Sequence, residues 1–265
     1  MDIQPIKLTY KKSLVAFIDI LGLSDLVNKS NYNPKKRTKV EKIVNFVKDI
    51  TFVMEKILQP DDPFYLQVSF ISDSIVISTD APRSVNDLRL INILKYTGSI
   101  GLSLLAIGVP CRGSIVTGNI FHHRESDFNT VVGPALVNAL ELEKSVAVYP
   151  RIVIDDATYK LWEEYLSNEH DPESWKEMLK HDQDGQWFIN IFHPILIPEI
   201  QFLFLHGPED DDILKQAGNS IIEGFKESKK RTRVHNKYNW LLNQYLPYAS
   251  TDFTKLLMEI NTCKN

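Results

Sequence analysis

Between residues 13 and 155 the sequence changes its hydrophobic period in a fixed order: strand, helix, two strands, helix, strand. SLVAFIDI (13–20) is an apolar run with the look of a buried strand. NPKKRTKVEKIVNFVKDITFVMEKI (33–57) follows, with Val40, Ile43, Val44, Val47, Ile50, Val53 and Ile57 at helical spacing. Pro60 and Pro63 punctuate its end. FYLQVSFISDSIVIST (64–79) alternates on both sides of Ser72-Asp73-Ser74, which predicts a hairpin with Asp73 at its tip. Ser84 as a cap predicts a helix that reaches Ile107 and is closed by Gly108. Then come a strand (109–121), a polar loop HHRESDFN (122–129), a short strand (130–133), a helix (134–146) and a strand over Arg151–Asp155. The order predicts an α+β fold with a ferredoxin-like βαββαβ core, an antiparallel sheet carrying helices on one face. In that arrangement the first strand lies beside the strand that leaves the hairpin, so Asp19 and Asp73 become neighbours across 54 positions.

Asp19 is the residue that this fold must explain. It interrupts the apolar run of FIDILGLSDL (17–26), where an uncompensated carboxylate costs several kcal/mol. Gly22 breaks the strand and Ser24 is placed to cap the helix that follows, which puts Asp19 at the strand's end. Two carboxylates held together repel unless a cation lies between them or one is protonated. Three readings satisfy this: hard-oxygen ligands for Mg²⁺ or Mn²⁺, an acid/base dyad, or two aspartates that cap turns.

Composition excludes several classes. With 24% charged and 43% hydrophobic residues over 265 positions, the chain has the make-up of a globular protein with a real core. A net charge of −4 argues against an electrostatic nucleic-acid partner. Cys111 and Cys263 stand alone, without metal-ligand spacing, which fits a reducing compartment. The apolar stretch SIGLSLLAIGV (99–109) is too short to span a bilayer, and the N-terminal residues lack a signal core, so a cytoplasmic location is expected. DATYKLWEEYL (156–166) and two stretches over 211–246 read as helices, and WFINIFHPI (187–195) as a strand. PEDDD (208–212) and KESKKRTR (226–233) read as solvated helix ends. The expected division is a core over 1–160 and a mostly helical C-terminal extension over 161–265 packed on it.

The motifs of the first part resemble those of class III nucleotide cyclases, in this order along residues 14–155. FIDILGL is similar to the first metal motif of that family, Ser72-Asp73 to its hairpin tip, Val116-Thr117-Gly118 to the end of a later strand, and VVGPALVNALELEKSV to its Gly-x-x-Val-Asn stretch. The resemblance implies that Asp19, the backbone carbonyl of Ile20, and Asp73 bind two divalent ions, Mn²⁺ or Mg²⁺. It also implies that a ribose 3′-hydroxyl attacks the α-phosphate to give a 3′,5′-cyclic nucleotide and pyrophosphate. The family's transition-state Asn and Arg fall on Val137 and Glu141, which cannot donate to a phosphate. That leaves Arg112 as the candidate cation, or a domain that has lost turnover. The base-reading positions fall on Ser69 and Thr130, and neither purine code is present.

A narrower resemblance is to the bacterial pyrimidine cyclases of the Pycsar antiphage systems. It rests on Asp-Ile-Leu-Gly, Arg112–Ile115, Ala139–Glu143, Asp184–Phe188 and Lys237–Leu241. It implies a homodimer acting on UTP or CTP, with a separate cyclic-nucleotide-responsive effector, no nucleic acid and no membrane. Beside these roles stand plainer ones. Arg112 could pair with a carboxylate, Phe70 and Tyr65 could pack in the core with base stacking as the alternative, and His122, His123 and Arg124 belong to a polar loop. Glu141 and Glu143 read as a solvated helix face or dimer contact, and Trp187 and Trp240 as core. The rival functions are a nucleotide-binding domain without turnover and a two-metal nucleotidyltransferase that gives linear products.

Overall fold

The structure, a computed structural model, describes residues 7–54, 62, 64–125, 128–203, 210–251 and 253–254. Ile57, Pro60, Pro63 and Cys263 lie outside the described residues. β1 (Lys11–Ile20) ends at a turn in which Gly22 (φ 78) caps α1 (Leu23–Ser30), so Ser24 falls inside the helix instead of capping it. Asn33 caps α2 (Pro34–Phe52), accepting from the Lys36 N–H at 3.2 Å. β2 (Gln67–Ile71) and β3 (Ser74–Asp80) form the expected hairpin with Ser72-Asp73 as its turn. α3 (Arg89–Ala106) begins later than Ser84, because Asp87 accepts from the N–H groups of Arg83 and Arg89 and holds the approach as a turn.

β4 (Cys111–Glu125) extends into the segment expected to be a polar loop, as far as Glu125, and pairs with β5 (Phe128–Val132). The polar residues form this arm because their ladder satisfies the backbone while His122 finds side-chain partners described below. α4 (Pro134–Val146) follows over the expected residues, and β6 (Ile152–Ile154) runs parallel to β4. Then come α5 (Asp156–Asn168), α6 (Glu173–Lys176), β7 (Leu179–His181), β8 (Trp187–Ile189), α7 (Ile197–Leu203), α8 (Asp210–Glu227) and α9 (Thr232–Tyr245). The strand expected over 187–195 thus stops at Ile189, where Asn190 turns its side chain back to accept from the Phe192 N–H.

The sheet order is β2-β3-β1-β4-β6-β8-β7, with β5 on β4. Its first four strands are those of the βαββαβ prediction, antiparallel throughout, and the fold is α+β as expected. The helices, however, cover both faces. Leu14, Ala16, Ile18 and Ile20 of β1 join the core under α2 and α3, while Val15 and Phe17 join Ala135 and Ala139 of α4 on the other side. This is why β1 has no polar alternation. Val44 is 61% exposed, and the inward stripe of α2 runs through Ile43, Phe46 and Ile50.

Two glycines fix how elements meet. A Cβ on Gly133 (φ 153) would lie 2.7 Å from the Asn119 carbonyl oxygen, so α4 can start only from a residue without one. A Cβ on Gly224 would lie 2.1 Å from the Tyr238 ring, which rests on the bare backbone of α8 and sets α9 against it.

Candidate active site

β1 places Asp19 on the α4 face, following Val15 and Phe17 at alternate positions. In register it stands opposite Ser74 of β3 on one side and Arg112 of β4 on the other. Asp73 precedes Ser74 at the hairpin tip, and its carbonyl accepts from the Ile20 N–H at 3.0 Å. The two aspartates that sequence reasoning paired therefore sit at one end of the sheet, Asp19 near the end of β1 and Asp73 in the turn that leads into its neighbour β3.

Arg112 is bound by carboxylates. Its Nε donates to Asp19 Oδ2 at 3.1 Å and is ion-paired with Glu143 of α4. Glu143, expected on a solvated face, has its side chain only 6% exposed. It follows Ala135 and Ala139 at helical spacing, which carries it onto the inward stripe of α4. Burial pushes its carboxyl above the usual range, Arg112 opposes this, and the Asp19 charge adds to it. Burial, reinforced by Asp19, likewise pushes the Cys111 thiol up to about 12, which makes it unreactive. A second cation, Lys237 of α9, completes the cluster. Burial holds its ammonium below the ordinary range, Arg112 and Arg233 add to this, and Asp19 and Glu143 oppose it. Sequence reasoning put Glu143 on a solvated face or dimer contact and took Lys237 only as part of a motif, without a place in the site; the spacing of Ala135, Ala139 and Glu143 was the available signal for the first.

The donor chemistry at the sheet end is hard oxygen: two carboxylates and backbone carbonyls. Among the described residues, no three His, Cys, Asp or Glu side chains gather as they would in an all-protein metal cage. Two carboxylates are what Mg²⁺-type ions use when substrate phosphates supply the remaining ligands, so the residues fit such ions.

The base-reading candidates do not converge. Ser69 is fully buried, two strands from Asp19 on the same face and about 12 Å away by strand spacing. Its hydroxyl donates to Asn129 Oδ1 at 2.7 Å and lies 2.7 Å from His122 Nε2, whose Nδ1 lies 2.8 Å from the Ser78 hydroxyl. Thr130 pairs with His123, on the opposite face of the arm from His122 and Asn129. Phe70 points to the α2 side with Val68 and is 39% exposed at the sheet edge. Val137 (53% exposed) and Glu141 lie on the outer face of α4.

Two of the segments that carried the narrower resemblance meet around one buried arginine. The Arg151 side chain is fully buried and ion-paired with Asp182 and Asp184, and it donates to the Val146 carbonyl at 3.2 Å. Trp240 Nε1 donates to Asp182 Oδ2 at 3.0 Å, and Trp187 stacks on Tyr159.

No family model matches this sequence, and no curated protein does. Solved structures similar to it are cyclases and a cyclase-like protein. One is the guanylyl cyclase Cya2, 13% identical over 69% of this chain and 93% of that one, with a TM-score of 0.40. Another is the catalytic core of a rhodopsin-guanylyl cyclase with converted specificity, 14% identical over 68% and 96% of the two chains, at 0.43. A third is a class III adenylyl cyclase-like ATP-binding protein from Pseudomonas aeruginosa, 14% identical over 82% and 44%, at 0.45. Among the described residues no helix is long and apolar enough to cross a membrane.

Proposed function

We propose that this chain is a class III-type nucleotide cyclase that converts UTP, or CTP, to the 3′,5′-cyclic nucleotide and pyrophosphate. The observation that carries the reading is the placement of Asp19 beside the hairpin tip that bears Asp73, with Ile20 hydrogen-bonded to that tip at 3.0 Å. This is the juxtaposition that the ordered motifs of residues 14–155 require.

Asp19, Asp73 and the Ile20 carbonyl would hold two Mn²⁺ or Mg²⁺ ions, which supply a lowered pKa at the attacking 3′-hydroxyl and charge neutralisation on the phosphates. The bond formed joins O3′ to the α-phosphorus; the bond broken joins that phosphorus to the β-bridging oxygen, and pyrophosphate leaves. Arg112 is the cation nearest Asp19, and it would turn from that carboxylate to the α-phosphate when the ions are in place. Ser69, Thr130 and Phe70 are assigned to the pyrimidine. Since they lie on different faces of one chain, the base pocket would draw on a second protomer. The apolar side chains exposed on α4 and β5, among them Val132, Val137 and Leu140, support such a homodimer. In this reading the protein is cytoplasmic and its product switches on a separate effector during antiphage defence.

The test is incubation with ATP, GTP, CTP and UTP separately, with Mn²⁺ and then Mg²⁺, beside an Asp73→Ala control, and identification of products by mass spectrometry. Cyclic UMP or cyclic CMP, absent from the control, is the expected result. A purine cyclic nucleotide would keep the reaction and overturn the assignment of Ser69 and Thr130. Linear products would identify a nucleotidyltransferase. Metal-dependent binding without product would make Val137 and Glu141 the marks of a domain that no longer turns over.

A further inference from the structure

A cavity of about 400 Å³ opens where β1 ends, between α1 and α2 of the core and α8 and α9 of the C-terminal part. Leu21 and Gly22, immediately after the Asp19-Ile20 pair, form one wall, and Lys237 and Tyr238 form another. Five cations and three carboxylates line it, two positive charges in excess. Two of the cations are answered within the cavity: Lys29 by Asp25 at 2.7 Å, and Lys39 by Glu223 at 4.0 Å. For Lys36, Arg231 and Lys237 no carboxylate lies within ion-pair distance among the described residues, and Glu227 is the remaining acid on the wall. Asp25 acts on Lys36 and Arg231, and Asp19 and Glu143 on Lys237, only at a distance, so the three side chains are free to contact an anionic ligand, which would offset the cost of holding Lys237 half-buried. The volume lies within the range of small-molecule sites.

We propose that this cavity is a polyphosphate site built jointly by the two parts of the chain, with Lys36 of α2 and Arg231 and Lys237 of α9 as its cations. The inference deepens the cyclase reading by giving the triphosphate a place next to Asp19, and it assigns a binding role to helices that the βαββαβ core does not contain. α9 is braced for this role at the cavity wall and behind it. The Tyr238 ring sits against Gly224, and the Trp240 indole is tied to Asp182, so that Lys237 is carried on a braced helix. Lys237 also stands close enough to Arg112, Asp19 and Glu143 to feel their charges, and Leu21 and Gly22 line the same cavity, so an anion bound there lies towards the Asp19 end of β1.

The experiment is calorimetric titration of the full chain with inorganic tripolyphosphate, without divalent metal, and then with UTP and uridine. Tripolyphosphate and UTP should bind and compete, and uridine should not displace tripolyphosphate. Lys237→Ala and Lys36→Ala should each weaken tripolyphosphate binding about tenfold, while Lys237→Arg stays within about threefold of the wild type, because a charge-assisted contact is lost in the first two and kept in the third. Urea midpoints of the variants separate lost binding from lost folding. No binding of tripolyphosphate by the wild type, or equal affinity in folded Lys237→Ala and wild type, would overturn the inference. Cyclic product with Lys237-independent tripolyphosphate binding sinks this inference alone. Lys237-dependent binding with no cyclic product sinks the cyclase reading alone.

Discussion

Arg112 stands directly across the β1–β4 ladder from Asp19, and its guanidinium is shared between that carboxylate and the buried one of Glu143. Removing the guanidinium leaves two carboxylates facing each other with one of them out of water. Arg112→Ala should therefore cost roughly 3 kcal/mol of stability, the lower end for breaking a buried pair, since Arg112 itself is partly exposed. Millimolar Mn²⁺ should restore part of that loss and raise the variant's melting temperature more than the wild type's. Equal Mn²⁺ shifts in the two proteins would show that Asp19 and Glu143 do not attract a cation in place of the guanidinium.

Glu143 gives a pH dependence with a definite sign. Its folded pKa is raised above the ordinary carboxylate value near 4.5, so in the window above that value the folded state binds more protons than the unfolded one. Its contribution to stability is fully present below the unfolded pKa and is lost as pH rises through the folded one. In the difference between the urea-denaturation free energies of wild type and Glu143→Gln, the wild type should lose ground as pH rises from 4.5 towards neutrality. A flat difference curve would mean that Arg112 cancels the desolvation.

Arg151 is fully buried and answered by Asp182 and Asp184, so its removal strands two acids at once. Arg151→Ala should destabilise by about 3–5 kcal/mol in urea titrations. Trp240→Phe, which removes the indole N–H donated to Asp182 and part of the ring surface packed on Tyr149 and Phe188, should cost about 1–3 kcal/mol. A larger loss for Trp240→Phe than for Arg151→Ala would contradict the ordering.

The Ser69 hydroxyl is the middle of a chain from Ser78 through His122 to Asn129. Ser69→Ala removes that partner from a His122 ring nitrogen in a part-buried site, at a cost of about 1 kcal/mol. Hydrogen exchange should localise the loosening to the β4–β5 arm, with β1 and β6 unchanged. Unchanged exchange in the arm would show that the chain does not hold it down.

The parts of the fold set by local period were legible in the sequence. α4 is bounded by Gly133 and the end of its apolar spacing, and the βαββαβ order alone put Asp73 next to Asp19. What was not legible depended on partners far along the chain. HHRESDFN is polar because His122 bonds to Ser69 and Ser78, and polarity alone cannot tell such an arm from a loop. The cover on both faces of the sheet was missed although β1 is apolar at every position from Leu14 to Ile18, a run that an antiparallel sheet with one solvated face does not require. Lys237 was invisible because nothing in KYNWL says that its first residue will be laid beside a strand over two hundred positions earlier.

β6 takes β4 on one side and β8 on the other, so the sheet does not stop where the predicted core does. A chain cut after residue 160 would keep Ile152, Val153 and Ile154 but strip their neighbour, leaving an apolar strand edge bare and Arg151 without its two aspartates. The last hundred residues are thus no detachable module. A shortened protein would be prone to edge-to-edge aggregation, so the two parts of this chain must be handled together.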